Sequence, residues 1–303
     1  MSIFNKWCIA VSLAFAILNL PAYALSDIEY AVGTQVGLPE KKIDVGIAAL
    51  TFAKEFYPEI DVTAYSRKID ALANQVKRMA NGTEDPEQRV RVMNTVLFRM
   101  EGFHYDLDPF SRSRQEYYFL NGILDTKQGI CYTLPLLYIA VAQRVGYPIY
   151  PVSVPDHIFV RYVDPKFKEQ NIEVTSRGKY YDDASYIEDF AISSRGLKSG
   201  AYLRTMTYRE FLGQMLSANA YYWARKGYGK RGIAYFEKSV ELYPTCATCY
   251  FNLSSAYAGL SEANQGEWSL KFKEKSKQYE LKLKQLGYVD PSEIKLKREL
   301  RGK

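Results

Sequence analysis

An α+β fold is expected from three features of the chain. Helical periods of apolar residues come first, short strand-like alternations follow, and helical periods return toward the C-terminus. Between the first helices and the strands lies an apolar segment, Cys131 to Gly146, too long for a typical strand and read as a buried helix.

The chain starts with Lys6 ahead of an apolar stretch from Trp7 to Leu20, then Ala22-Tyr23-Ala24, a small-x-small sequence. This pattern predicts an export signal over residues 1–24, cleaved after Ala24, and an oxidising destination for the mature chain. The apolar stretch is shorter than the roughly 20 residues of a spanning helix. Helical spacing then appears at Ile43, Ile47, Leu50, Ala53 and Phe56, and again at Ile69, Leu72, Ala73, Val76 and Met79. Asp85-Pro86 opens a third helix, with Val90, Met93, Val96, Leu97 and Met100 expected inward and Gly102 as its stop. Tyr117 to Leu124 reads as a short helix leading to Cys131.

In the pivotal segment Pro135 falls in the first turn, where a helix tolerates it, and Gly146 is the expected C-terminal stop. A thiol at this helix start faces unpaired N–H groups and the positive end of the macrodipole, which favour the thiolate. Strands are predicted over Ile149 to Val154, His157 to Tyr162 and Asn171 to Thr175, the last two joined as a hairpin by the charged loop Asp164 to Gln170. Thr207-Tyr208-Arg209-Glu210 reads as a capping box before a helix. From there a period of about 34 residues, with Trp223, Phe236 and Pro244, then Tyr250, Leu253 and Tyr257, matches the helix-turn-helix pattern of tetratricopeptide repeats.

Composition is globular, with 303 residues, 47% hydrophobic and 24% charged. The net charge of +6 is concentrated at the end, with 11 Lys and Arg against 6 Asp and Glu between Asn264 and Lys303. A solvated helix face accounts for such a tail; contact with a membrane or an anionic envelope surface is the alternative, and nucleic acid is not an expected partner. After loss of Cys8 three cysteines remain. Cys246 and Cys249 are close enough for a local disulfide, which leaves Cys131 as the odd, reactive thiol. No metal site or cofactor is expected: a structural zinc at the Cys246/Cys249 pair needs two more ligands, and the chain's two histidines are His104 and His157.

A nucleophilic cysteine needs a base, and the base an orienting acid. His157 opens the second strand and Glu173 lies in the next, where hairpin pairing can bring the two together. Asp156 and Asp164 compete for the acid's role. Asp156 is adjacent to His157 and expected to turn the other way, and Asp164, before Pro165, reads as a turn residue. Singly, each residue also has a bland reading, as a buried hydrophobe, a strand-start histidine or a surface carboxylate.

The pieces Asn121 to Cys131, Leu137 to Gly146, Val154 to Arg161 and Asn171 to Thr175 resemble the transglutaminase-like superfamily, of papain-like fold. In particular they resemble a bacterial SirB-type group with a tetratricopeptide tail. The resemblance implies a catalytic Cys131, with His157 as general acid/base and Glu173 where the family usually has an aspartate before Pro-Thr. Many SirB-type relatives carry proline where this chain keeps Cys131. Oxyanion support is expected from the backbone of Cys131 or Tyr132 and from the side chain of Gln128. The implied division is residues 1–24 signal peptide, 25–205 transglutaminase-like domain, 206–290 repeat helices and 291–303 basic tail. The expected activity is amide hydrolysis or acyl transfer on a protein or peptide substrate, with a protein partner on the repeats. The alternative is a non-catalytic scaffold of the cell envelope.

Overall fold

The computed structural model describes residues 35–108, 114–167, 170–227 and 229–300. Residues 1–24, the expected signal peptide, lie outside them. Among the described residues, those from 35 to 186 with 205–209 form one compact unit, and those of 187–204 with 210–300 form another.

The first unit opens with three helices, each started by an aspartate whose carboxylate accepts a first-turn N–H. These are α1 (Val45–Lys54, capped by Asp44), α2 (Val62–Ala80, capped by Asp61) and α3 (Pro86–Asn94, capped by Asp85 with Pro86 at the first position). Two expectations fail here. Met79, on α2, is 47% exposed, and the inward position there belongs to Ala80. Met100 is 60% exposed, because α3 passes into a π-helical segment, Thr95–Met100. The wider i→i+5 winding shifts the helical phase, which buries Phe98 and turns Met100 outward.

Two short strands, β1 (His104–Tyr105) and β2 (Gln128–Gly129), pair in parallel around α4 (Leu120–Thr126). At two residues each they carry no readable period. The helix expected over Tyr117 to Leu124 is split into a 3₁₀ turn, Gln115–Tyr118, and α4.

Helix α5 (Thr133–Val145) is the centre of this unit. Every residue from Thr133 to Ala142 is buried, and Gly146 ends the helix at φ 76°, a conformation glycine adopts without strain. Polar residues at its far end fasten it. Arg144 bridges Asp44 (2.6 Å) and Asp70 (2.8 Å), while Gln143 accepts from the Val45 N–H and donates to the Ile43 carbonyl.

An antiparallel sheet follows, in the order β3-β4-β5-β6: β3 (Ile149–Val154), β4 (His157–Tyr162), β5 (Asn171–Glu173) and β6 (Lys179–Tyr180). The first two match the bounds read from the sequence. The third is shorter than expected, because the Glu173 side chain caps a 3₁₀ turn, Val174–Ser176, that ends the strand. Helices α6 (Asp183–Asp189) and α7 (Ser194–Lys198) come next, within the stretch that no period had marked.

The remaining helices are α8 (Tyr208–Arg225), α9 (Gly229–Leu242), α10 (Ala247–Ala263), α11 (Gly266–Leu286) and α12 (Pro291–Leu300). The capping box expected at the start of α8 takes another form. Glu40 accepts the N–H groups of Tyr208 and Arg209, and Glu210 makes a two-pronged pair with Arg204 (2.9 and 2.6 Å). A distant carboxylate with both oxygens free for the N–H groups has replaced the local one. Helices α10 and α11 form an antiparallel hairpin held by reciprocal serine-to-carbonyl bonds, Ser254 with Ser276 and Ser261 with Ser269. Cys246 and Cys249 are joined by a disulfide at the start of α10. Among the described residues no helix is long and apolar enough to cross a membrane.

Candidate active site

Cys131 lies between the end of β2 and the start of α5, two residues ahead of the helix expected to begin with it. The turn that carries it is locked by Thr133, whose hydroxyl donates to the Tyr117 carbonyl (2.9 Å) and accepts from the Ile130 N–H (3.1 Å). Gly129 makes the entry possible: a Cβ there would meet Ile123 at 2.5 Å and Leu134 at 3.0 Å. The thiol is free and partly exposed, and its sulfur lies 3.9 Å from the main-chain carbonyl of Asp156.

His157 is delivered by the turn Pro155-Asp156, with Asp156 at φ 55°, which closes the hairpin at the pair Val154 and His157. Its Nε2 lies 2.7 Å from Glu173 Oε2. The sulfur's contact with the Asp156 carbonyl places Cys131 next to the residue before His157, and the Cys131 side chain contributes to the raised pKa of the ring. A helix start and two neighbouring strands thus bring Cys131, His157 and Glu173 into one region, with His157 and Glu173 in direct contact.

The register explains the glutamate. Val160 pairs with Ile172 and Arg161 with Asn171, and continuing that register sets Glu173 across from Phe159, one diagonal step from His157. Diagonal neighbours on a sheet are roughly 7–8 Å apart, a gap that favours the longer arm. The carboxylate is buried, 6% exposed, and all of its contacts are donors. Oε2 receives His157 and the Tyr186 hydroxyl (2.9 Å); Oε1 receives the Thr175 N–H (3.0 Å) and hydroxyl (2.6 Å).

These contacts set the charges. Burial, the largest single effect on His157, works against the imidazolium. Hydrogen bonds to Cys131 and Glu173, together with their charges, outweigh it and raise its pKa to about 10. Burial likewise works against the Glu173 carboxylate, and donation from His157, Thr175 and Tyr186 outweighs that, holding its pKa below the usual value. The arrangement favours a charged imidazolium beside the Glu173 carboxylate, a form suited to activating a nearby thiol.

The competing acids are used otherwise. Asp164 accepts the Lys166 N–H (2.8 Å) as a turn residue, and Asp156 presents its main-chain carbonyl to the thiol. His104 sits in β1, with Nδ1 against the Gly102 carbonyl (2.9 Å). Gln128 Oε1 accepts from the Tyr117 hydroxyl, itself held by Arg114 (2.9 Å), so the Gln128 amide has its NH₂ to present elsewhere. Tyr132 is the N-cap residue of α5, and its phenol is desolvated, which raises its pKa. No group of three or more metal-ligating side chains occurs among the described residues. Tyr186 escaped sequence reasoning: it sits on the seven-residue α6, too short to show a period, and its partner is 13 positions away.

Known proteins share this region. Residues 63–217 match a family model described as the transglutaminase-like superfamily. UPF0162 proteins of two Xylella fastidiosa strains are 26% identical over 113 residues, 37% of this chain and 40% of theirs, so the chain spans well under half the length of these relatives. F-box only protein 21 of Homo sapiens is 30% identical over 78 residues, 24% of this chain and 12% of its own length. Among solved structures, menin gives a TM-score of 0.43 at 11% identity, over 83% of this chain and 73% of that one. Because the family model covers more than half of the 303 residues, the chain belongs to the transglutaminase-like superfamily.

Proposed function

We propose that the protein is a thiol enzyme of SirB type that cleaves or transfers amide acyl groups on a protein or peptide substrate. The observation that carries this reading is the buried His157–Glu173 pair at 2.7 Å, with the Cys131 sulfur 3.9 Å from the carbonyl of the adjacent Asp156. In the proposed reaction the Cys131 thiolate attacks the amide carbonyl and the carbonyl π electrons move to oxygen. The backbone N–H of Cys131 or Tyr132, assisted by the Gln128 amide, stabilises that oxyanion. His157 then passes its proton to the departing amine as the C–N bond breaks, leaving a thioester on Cys131. Water, deprotonated by His157, releases the acid; an amine in its place gives acyl transfer. Cys131 is partly exposed, which gives water access to the thioester and favours hydrolysis. Glu173 holds the imidazole in place throughout and stabilises it whenever it carries the proton.

Export belongs to the same proposal. The signal-like residues 1–24 and the Cys246–Cys249 disulfide both support a life in an oxidising compartment such as a bacterial periplasm. The helices from residue 206 to 290 are proposed to be tetratricopeptide repeats that bind a protein partner.

Iodoacetamide tests the centre. Cys131 should be alkylated faster than a free thiol at neutral pH, and the modification, located by mass spectrometry, should vanish in Cys131→Ala. Reaction no faster than glutathione would sink the enzymatic reading. The scaffold alternative is favoured by the exposed Trp268, Leu270 and Leu281 of α11. It predicts a partner captured equally by wild type and Cys131→Ala, with full cellular function in the variant.

A further inference from the structure

Glutamate at position 173 reaches His157 across a diagonal, but it has one more rotatable bond than aspartate. A free glutamate would spread over more rotamers and hold the imidazole less firmly. Here both oxygens are taken. Thr175 fixes Oε1 with its N–H and its hydroxyl, and Tyr186 fixes Oε2 beside His157. Tyr186 is itself held in place: its ring stacks on Phe159 at 4.0 Å and 9°, and α6 is anchored where Arg161 (2.8 Å) and Asn171 (2.7 Å) both donate to Asp183. The Phe159 contact keeps the ring placed even without its hydroxyl.

We propose that Thr175 and Tyr186 are positioning residues: a clamp that adapts a glutamate to the acid's role and keeps it anionic beside His157 as the medium turns acidic. The inference rests on the thiol-enzyme reading above. A carboxylate that loses a donor accepts a proton more readily. Once neutral it no longer supports the imidazolium, and the ring loses the charge that would activate the thiol. The other charged or titratable groups around the clamp are few. Arg161 on β4 and Tyr181 act on Tyr186, and Lys179 pairs with Glu173 through the backbone ladder but is exposed.

The test uses the full chain with its disulfide intact and follows Cys131 alkylation by iodoacetamide from pH 3 to 8. Tyr186→Phe and Thr175→Val should each move the acid limb of the rate profile upward by about one pH unit, the size expected for one hydrogen bond to a charged group. Thr175→Ser, which keeps the hydroxyl, should follow the wild type. If both variants are folded by circular dichroism and their acid limbs coincide with the wild type, the residues are merely structural and the proposal fails. Should Tyr186→Phe not fold, the contrast between Thr175→Val and Thr175→Ser decides alone. A wild-type thiol with the profile of glutathione is a different failure, because it removes the enzymatic reading itself and the clamp with it.

Discussion

Helices α5 and α11 solve opposite problems. The first, Thr133–Val145, is apolar around its whole circumference and buried from Thr133 to Ala142. The second, Gly266–Leu286, is longer and mostly exposed; Trp268, Leu270 and Leu281 face outward among lysines, and contact with α10 runs along a stripe of serines and aromatic rings. A helix enclosed on all sides can hold a residue at its entrance within tenths of an ångström, because close-packed neighbours leave no room to move. One attached along a stripe provides surface instead. The thiol sits at the entrance of the enclosed one.

This contrast can be broken by experiment. The largest effect is expected at the site that α5 supports. Glu173→Ala removes one partner of a buried ion pair and leaves His157, Tyr186 and Thr175 facing an empty space, at a cost of about 3–5 kcal/mol. Urea unfolding measures it, and a loss below 1 kcal/mol would mean water replaces the carboxylate. Next, Ile139→Ala in α5 should cost about 2–5 kcal/mol, whereas Leu281→Ala on α11 should stay within about 0.5 kcal/mol. Equal losses would erase the distinction between the two helices.

The Cys246–Cys249 disulfide closes a loop of sequence separation 3, so its loss should cost only about 2 kcal/mol, read as a lower Tm in reductant. A further effect concerns pH. His157 has a raised folded pKa, so its contribution is fully present below about 6.5 and is lost as pH rises through about 10. Glu173 has a depressed one, so its contribution is present above the ordinary carboxylate range and lost as pH falls through the folded value. Stability should therefore decline from pH 6.5 to 10 in the wild type, and less steeply in His157→Gln.

Parts of this were legible in the residues and parts were not. Turn residues between two short apolar runs located β3 and β4 to the residue, because Pro155-Asp156 breaks the run and closes the hairpin. Apolar period and glycine located α5 and its end. The same reasoning misplaced Met100, since a helical period assumes constant winding and the π-helical segment breaks it, and it placed Met79 inward where Ala80 is the buried residue. It also gave α8 a local cap, where the structure uses Glu40 from far upstream, a contact with no local signature.

For the site, the order of Cys131, His157 and Glu173 along the chain was readable, and so was the presence of strands able to bring the last two together. That Glu173 stands diagonal to His157 follows only from the pairing of β4 with β5, and a shift of one residue would have turned it to the other face. Asp156 and Asp164 carry the same carboxylate, and only the turns they sit in remove them from the role. Tyr186 depends wholly on the tertiary structure. Its hydroxyl meets Glu173 because Asp183 anchors α6 and Phe159 receives the ring, and no local pattern encodes a bond between residues that the sheet and helix bring together only once both are folded.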